Sequence, residues 1–452
     1  ALQTRPPVVV VMGHIDHGKS TLLDYIRKTN IVDKEVGGIT QRMSAYEVTH
    51  EQDGVQKHIT FLGTPGHESF NAMRARGALS ADIAILIVSA EDAVKPQTLD
   101  AYRAIKSARL PFIVGISKID KPNASVDKAK LSLAENEIYV EGYGGEIPFV
   151  PFSGKTGEGV NDLLDMILLT AEVEGFKADV SVPAECIVIE ANRDNVRGVS
   201  ATLIVKNGTL KIGDVLVSGL ASSSVRILED FTGKAIKEAG PSKPIRVVGW
   251  SEQPEVGGLC FTFKTKKEAE AFIESERERI AEETKKVANQ QRLSAHDILA
   301  NMASANGEEV DTTDPANKIA TLAIIIKGDT NGTLEAVKYE LSKIKVERVN
   351  LKIVQTGIGD ITENDVKLAG GKAGTLVIGF NTKVDNSARQ LALRMGIQIE
   401  TFDIIYKLTE WLTIKAEENI PKRNVEEETG TLKILKVFSA NKDKQVIGGR
   451  VE

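Results

Sequence analysis

The chain has 452 residues, with 57 Lys+Arg against 63 Asp+Glu and hence a formal net charge of −6, a length that suggests about three domains. Its 42% hydrophobic and 27% charged residues exclude a disordered chain, and its only two cysteines, Cys186 and Cys260, exclude a disulfide scaffold and fit a reducing compartment. The apolar runs Val8–Met12 and Ile83–Val88 fall far short of the roughly 20 residues a bilayer needs, and the mild acidity argues against a basic coat over the whole surface while leaving room for local patches.

The N-terminus, ALQTRPPVVV, has neither a signal-peptide nor an Arg/Ser-rich transit pattern, and both ends are abrupt, as in a piece of a longer chain. Residues 1–177 alternate strands (Val8–Met12, Ile59–Leu62, Ile83–Val88, Phe112–Ile116, Pro148–Pro151) with helical stretches, which predicts a parallel sheet with helices on both faces. Residues 178–268 switch to short β-rich runs broken by Gly and Pro, the pattern of a small β-barrel. Residues 269–317 read as a helical linker: ESERERIAEETKKV interleaves charges as a solvated helix face does, and NGEEVDTTDP follows as a connector. Residues 318–402 form a second, smaller α/β unit, with strands at Ala320–Lys327, Arg348–Gln355 and Leu376–Phe380 and a helix at Leu334–Lys343. Residues 403–424 carry a helix over Asp403–Glu418 that Pro421 ends, and residues 425–452 begin an incomplete β-barrel at Thr431–Val437.

The strongest signal is Gly13-His14-Ile15-Asp16-His17-Gly18-Lys19-Ser20-Thr21, a G-x-x-x-x-G-K-[S/T] loop between the strand VVVVM and the helix TLLDYIRK. Its glycines let the backbone wrap a phosphate, its N–H groups and the helix N-terminus face the anion, Lys19 reaches the β- and γ-phosphates, and the Ser20 hydroxyl suits Mg²⁺. Ser117-Lys118-Ile119-Asp120 follows the strand FIVGI; an Asp there accepts from the N1–H and exocyclic amine of guanine, a donor pair adenine lacks, while Lys118 lies along the base. Ser153-Gly154-Lys155 after the next strand completes a base-reading set. Between them, Gly37-Gly38-Ile39-Thr40-Gln41 offers Thr40 as a second Mg²⁺ ligand, and Thr64-Pro65-Gly66-His67 offers the Gly66 N–H for the γ-phosphate and His67 to orient an attacking water. Five of the six histidines fall within the first 67 residues without metal-ligand spacing, so no zinc site is read. Arg74 and Arg76 suit either RNA phosphates or an ordinary exposed helix face; Trp250, Trp411 and the two cysteines read as core or packing residues.

GHIDHGKS, GGITQ, TPGHESF and SKID together resemble a translational GTPase, most of all translation initiation factor two of the bacterial type, including its mitochondrial form. RGVSATLIVKNGTLKIGDVLVSG resembles that family's β-barrel, KGDTNGTLEAVKYEL and GIGDITENDV its third domain, residues 403–420 its connecting helix, and 425–452 the start of its terminal barrel. The resemblance implies binding of GTP/GDP and Mg²⁺, contact with both ribosomal subunits and their rRNA, placement of initiator formyl-methionyl-tRNA, subunit joining, and ribosome-stimulated GTP hydrolysis. The terminal barrel holds the formyl-methionyl end in the family, so a chain ending at Glu452 is expected to be impaired there. The chain departs from the family at three positions: Gly63 where an Asp holds Mg²⁺ through water, Ser117 in place of Asn, and Gly154 in place of Ala, the last a small change because the backbone N–H makes the contact. Gly63 and Ser117 keep a second function open, a ribosome- and RNA-binding scaffold that turns nucleotide over poorly. By resemblance, Ser117 and the Trp250 of VVGWSEQP favour a mitochondrial matrix location over the alternative, a bacterial cytoplasm.

Overall fold

The computed structural model describes residues 2–28, 40–194, 197–282, 320–371, 374–420, 430–441 and 444–451. The first unit contains β1 (Leu2–Thr4), β2 (Val8–Gly13), α1 (Lys19–Arg27), β3 (Ser44–Gln52), β4 (Val55–Gly63), α2 (Asn71–Ser80), β5 (Ile83–Ser89), α3 (Pro96–Ala108), β6 (Phe112–Ser117), α4 (Val126–Glu135), β7 (Phe149–Pro151) and α5 (Val160–Glu174). Its sheet runs β3-β4-β2-β5-β6-β7. Every residue of β2 and β5 is buried, as expected of central strands covered on both faces. The two-residue alternation divides them: Val8, Val10 and Met12 pack with Ala101 and Ile105 of α3, whereas Val9 and Val11 pack with Leu22 of α1 and Leu163 and Ile167 of α5.

The sheet is not wholly parallel, as the strand–helix alternation suggested. β3 runs antiparallel to β4, joined by a tight turn in which Asp53 (φ 53°) and Gly54 (φ 74°) are both left-handed.

After β8 (Lys177–Asp179), which pairs with β1, come β9 (Glu185–Asp194), β10 (Gly198–Asn207), β11 (Leu210–Lys211), β12 (Val215–Ser218), β13 (Ala221–Asp230), β14 (Glu238–Ala239), β15 (Pro244–Trp250) and β16 (Leu259–Phe263). Six of them close a barrel in the order β10-β15-β13-β12-β16-β9. Cys186 and Cys260 are free, fully buried and opposite one another in the β9–β16 register, and Trp250 lies in the same core. A helix, α6, occupies residues 266–282; the rest of the expected linker lies outside the described residues.

The third unit is β17 (Ala320–Gly328), α7 (Asn331–Lys343), β18 (Val349–Ile358), α8 (Glu363–Gly370), β19 (Leu376–Phe380), α9 (Asn386–Met395) and β20 (Ile399–Phe402), a parallel sheet ordered β18-β17-β19-β20. Thr330 and Thr333 form the capping box that starts α7. α10 (Ile405–Glu418) follows and packs Trp411 on Phe402, and β21 (Leu432–Asn441) and β22 (Lys444–Val451) form a hairpin. Pro421, the expected helix stop, lies outside the described residues.

The units are knotted together. Asp82 accepts from Arg5 Nη1 (2.6 Å) and Nη2 (2.8 Å), from Lys206 of the barrel (2.9 Å) and from the Val8 N–H (2.9 Å). Burial raises its pKa, but Arg5 and Lys206 outweigh that and leave it below the ordinary value.

Candidate nucleotide-binding site

The loop between β2 and α1 turns on Gly18 (φ 86°), the N-cap of α1, with Asp16 also left-handed (φ 60°). Lys19 is only 8% exposed and folds back on its own loop, donating to Gly13 O (3.0 Å) and His14 O (2.5 Å). Burial, reinforced by Arg74 and opposed by Asp16, pushes its pKa down to about 7. The Ile15 N–H donates to Gln97 Oε1 at 3.1 Å, so α3 braces the loop from behind. A Cβ on Gly66 would lie 2.6 Å from Lys19 Nζ and 3.1 Å from Ile15 N, so glycine is what lets the β4–α2 loop close over the phosphate loop.

A cleft of about 270 Å³ is lined by Asp16, Gly18, Lys19, Ser20, Thr21, Thr40, Gly66, His67, Ser117, Lys118, Asp120, Gly154 and Lys155, with Ile15 and Lys121 added to the expected set. His17 and Ser153 do not line it. The His17 side chain turns into the core, 1% exposed, where its Nδ1 accepts the Ser89 N–H; burial, then His14 and Lys19, hold its pKa at about 3. Its side chain is turned away from the cleft, at a loop position where the motif calls on backbone N–H groups. Ser153 is fully buried and braces Asp120 instead, donating to Oδ1 at 2.7 Å, and this bond lowers the Asp120 pKa. Ser117 spends its hydroxyl inside the protein, donating to His17 O (2.5 Å) and Val88 O (3.3 Å), so it ties the base-reading loop to the phosphate loop. Lys118 reaches Asp92 at 3.5 Å. A Cβ on Gly154 would lie 2.9 Å from Leu22 N and 3.1 Å from Thr21 C, which corrects the expectation that alanine and glycine are near-equivalent here.

Ser20 Oγ and Thr40 Oγ1 stand 2.8 Å apart, two hard oxygen donors that fit Mg²⁺. Gly37, Gly38 and Ile39 lie outside the described residues. Behind the pair, a recess of about 90 Å³ is walled by Gly63, Arg27, Ser44 and Asp24, a carboxylate the motif reading had not singled out. A Cβ on Gly63 would lie 2.6 Å from Ser44 Oγ and 3.0 Å from Leu23 Cδ1.

His67 is 6% exposed, with its ring edge-on to Tyr406 of α10 (centroids 4.5 Å apart). Its Nδ1 lies 2.5 Å from Ser69 Oγ and 3.1 Å from the Ser69 N–H, and Ser69 Oγ donates to Glu340 of α7 at 2.6 Å. Burial lowers the His67 pKa, with Glu340 and Glu68 acting against it. Arg74 is neither an exposed face nor an RNA contact: it is 1% exposed and donates to Pro65 O (3.1 Å) and His67 O (2.6 Å), clamping the loop that carries His67. Arg76 forms a two-pronged ion pair with Glu335 of α7 (3.0 and 2.7 Å). On the other side, Gln41 Nε2 donates to Asp403 O at 2.7 Å. Sequence spacing gave no signal for these long-range partners.

Comparison with known proteins agrees with the geometry. The family model for the Elongation factor Tu GTP binding domain matches residues 5–172, that for Elongation factor G domain 2 matches 183–262, and that for Translation-initiation factor 2 matches 297–413. Translation initiation factor IF-2 of Pseudothermotoga lettingae is 41% identical over 448 residues, covering 99% of this chain and 64% of that protein. The Bacillus licheniformis protein of the same name is 40% identical over 450 residues, covering 100% and 60%. The crystal structure of GDP-bound aIF5B from Aeropyrum pernix is 26% identical with a TM-score of 0.49, covering 99% of this chain and 81% of that one. This chain thus spans about three-fifths of the length of the curated relatives it matches. No helix among the described residues is long and apolar enough to cross a membrane. The phosphate loop and base-reading set thus fall within the match to the Elongation factor Tu GTP binding domain, the third unit falls within the match to Translation-initiation factor 2, and nearly the whole chain is similar to proteins named translation initiation factor IF-2.

Proposed function

We propose that the chain is a translation initiation GTPase: it binds GTP with Mg²⁺, engages both ribosomal subunits and their rRNA, promotes subunit joining and hydrolyses GTP on the assembled ribosome. The observation that carries this is the convergence of Lys19, Ser20 with Thr40, Asp120 and His67 on one cleft. Lys19 meets the β- and γ-phosphates, the loop N–H groups and the α1 N-terminus cradle them, and Asp120 accepts from guanine, steadied by Ser153. Ser20 and Thr40 would hold Mg²⁺, which neutralises phosphate charge when bound. His67 orients the water that attacks the γ-phosphorus as the bond to the β-phosphate oxygen breaks. Placement of initiator formyl-methionyl-tRNA rests on the resemblance of the β21–β22 segment to the family's terminal barrel. The relatives reported are bacterial, which supports the cytoplasmic alternative over the mitochondrial matrix.

Multiple-turnover GTP hydrolysis with and without purified ribosomes tests this reading; the expected result is ribosome-stimulated turnover of GTP and none of ATP. A second reading, a scaffold with poor turnover, is favoured by Gly63 and by the engagement of the Ser117 hydroxyl within the protein. It predicts nucleotide-independent ribosome binding and no stimulated hydrolysis.

A further inference from the structure

We propose that Ser117 sets which guanine nucleotides the cleft accepts: it turns an oxygen lone pair, not a donor, toward the N7 side of the base, so nucleotides carrying a hydrogen at position 7 bind at least as well as guanine nucleotides themselves. The inference rests on the guanine-reading role of Asp120 proposed above.

The single proton of the hydroxyl can be located. Ser117 Oγ lies 2.5 Å from His17 O and 3.3 Å from Val88 O, both backbone carbonyls. A carbonyl has no proton to give, so the 2.5 Å contact holds the serine proton. What Ser117 offers a further group is therefore a lone pair. The arrangement is held stiffly. Ser117 is 1% exposed, pairs with Ser89 at the end of β6 and accepts the Ala90 N–H on its carbonyl at 2.9 Å. Lys118 after it is left-handed (φ 62°), which fixes the turn out of the strand.

Its place in the cleft decides which edge of the base meets it. A nucleotide with its phosphates on the loop and its N1–H and amine at Asp120 has one edge left between the two. In the anti conformer that edge is C8–N7, which lies on the side of the 5′-phosphates. Ser117 lines the cleft at that junction, just upstream of Asp120 and bonded to the phosphate loop through His17 O. Guanine N7 is itself an acceptor, so two acceptors face each other, and an N7 taken out of water without a donor is costly. The His17 ring offers no donor there, because it is turned into the core with its Nδ1 on the Ser89 N–H. In 7-deazaguanine a C–H replaces the N7 lone pair and removes the conflict. Asparagine, the residue of the resembled family at this position, has two amide hydrogens and can serve His17 O and N7 together.

The test is competition of GDP, 7-deaza-GDP and ADP against ribose-labelled fluorescent GDP on the full chain, at one pH and one Mg²⁺ concentration. For the wild type, 7-deaza-GDP is expected to bind as tightly as GDP or up to about tenfold tighter. Ser117→Asn should reverse the order, with GDP about 2–10-fold tighter than 7-deaza-GDP. Ser117→Ala removes both the lone pair and the tie to His17 O; it should weaken both ligands and bring them within about twofold of each other. A hydroxyl that merely tied the two loops together would shift both ligands equally in every variant, so their ratio isolates the contact with the base. On the wild type, 7-deaza-GDP more than about twofold weaker than GDP overturns the proposal, as does an unchanged ratio in Ser117→Asn. The wild-type comparison decides even where a variant fails to fold. If ADP competes as well as GDP, the guanine reading itself fails and the proposal falls with it; GDP well ahead of ADP, with 7-deaza-GDP trailing GDP, sinks the proposal alone.

Discussion

Lys19 makes nucleotide affinity a function of pH. In the free site its ammonium is buried against Gly13 O and His14 O, and its pKa is about 7. A polyphosphate brings negative charge to that ammonium and raises its pKa, so binding takes up a proton wherever free Lys19 is neutral. The sign follows: affinity is greatest below the free-state value and falls as pH rises past it. With a free-state pKa of about 7, the apparent dissociation constant scales as 1 + 10^(pH − 7), a weakening of roughly 50-fold from about pH 7 to about pH 9, or about 2.3 kcal/mol. Fluorescent GDP titrated at constant ionic strength over that window measures it. Lys19→Arg is the control, because a guanidinium stays charged throughout. If wild type and Lys19→Arg show the same pH dependence, Lys19 is not the buried, loop-bound ammonium described here.

Gly154→Ala forces its Cβ against the α1 backbone at Leu22 N, and overpacking of that kind costs about 1–3 kcal/mol, so GDP should bind at least roughly fivefold more weakly; unchanged affinity by titration would contradict the contact. Gly63→Asp alone should gain little Mg²⁺-GTP affinity because its Cβ meets Ser44 Oγ, whereas Gly63→Asp with Ser44→Ala should bind about tenfold tighter than Gly63→Asp alone in Mg²⁺ titrations. Asp82→Ala leaves Arg5 and Lys206 without their shared carboxylate and should cost about 3–5 kcal/mol in urea unfolding; less than about 1 kcal/mol would show the cluster to be decorative. Because the folded-state pKa of Asp82 is depressed, that stabilisation is present above the unfolded value of about 4 and is lost as pH falls through the folded one.

The phosphate loop was legible because its chemistry is local: two glycines, a lysine and a serine at fixed offsets between an apolar strand and a helix. The base-reading set was legible for the same reason, its residues following strand ends in order. β3 was missed although Asp53-Gly54 is a strong two-residue hairpin signal, because its outer face is polar and the run SAYEVTHEQ lacks a clean apolar alternation. β13 is hard to read locally, because its serine run looks like a turn until barrel closure supplies its partners. Arg74 was misjudged because helix periodicity says nothing of a carbonyl-rich loop folding beneath the helix N-terminus. Ser69 and Glu340 are 271 residues apart, a separation at which no local rule pairs them.

One apolar cluster runs without a break from Val8, Leu86 and Ile105 through Ile187, Ile189 and Ile204 of the barrel to Ile324, Val337 and Leu408 beyond it. Domains sharing a core in this way do not behave as beads on a string. Heat or urea should melt them in a single cooperative step, and a lesion in any one should be felt as lost yield of the whole chain.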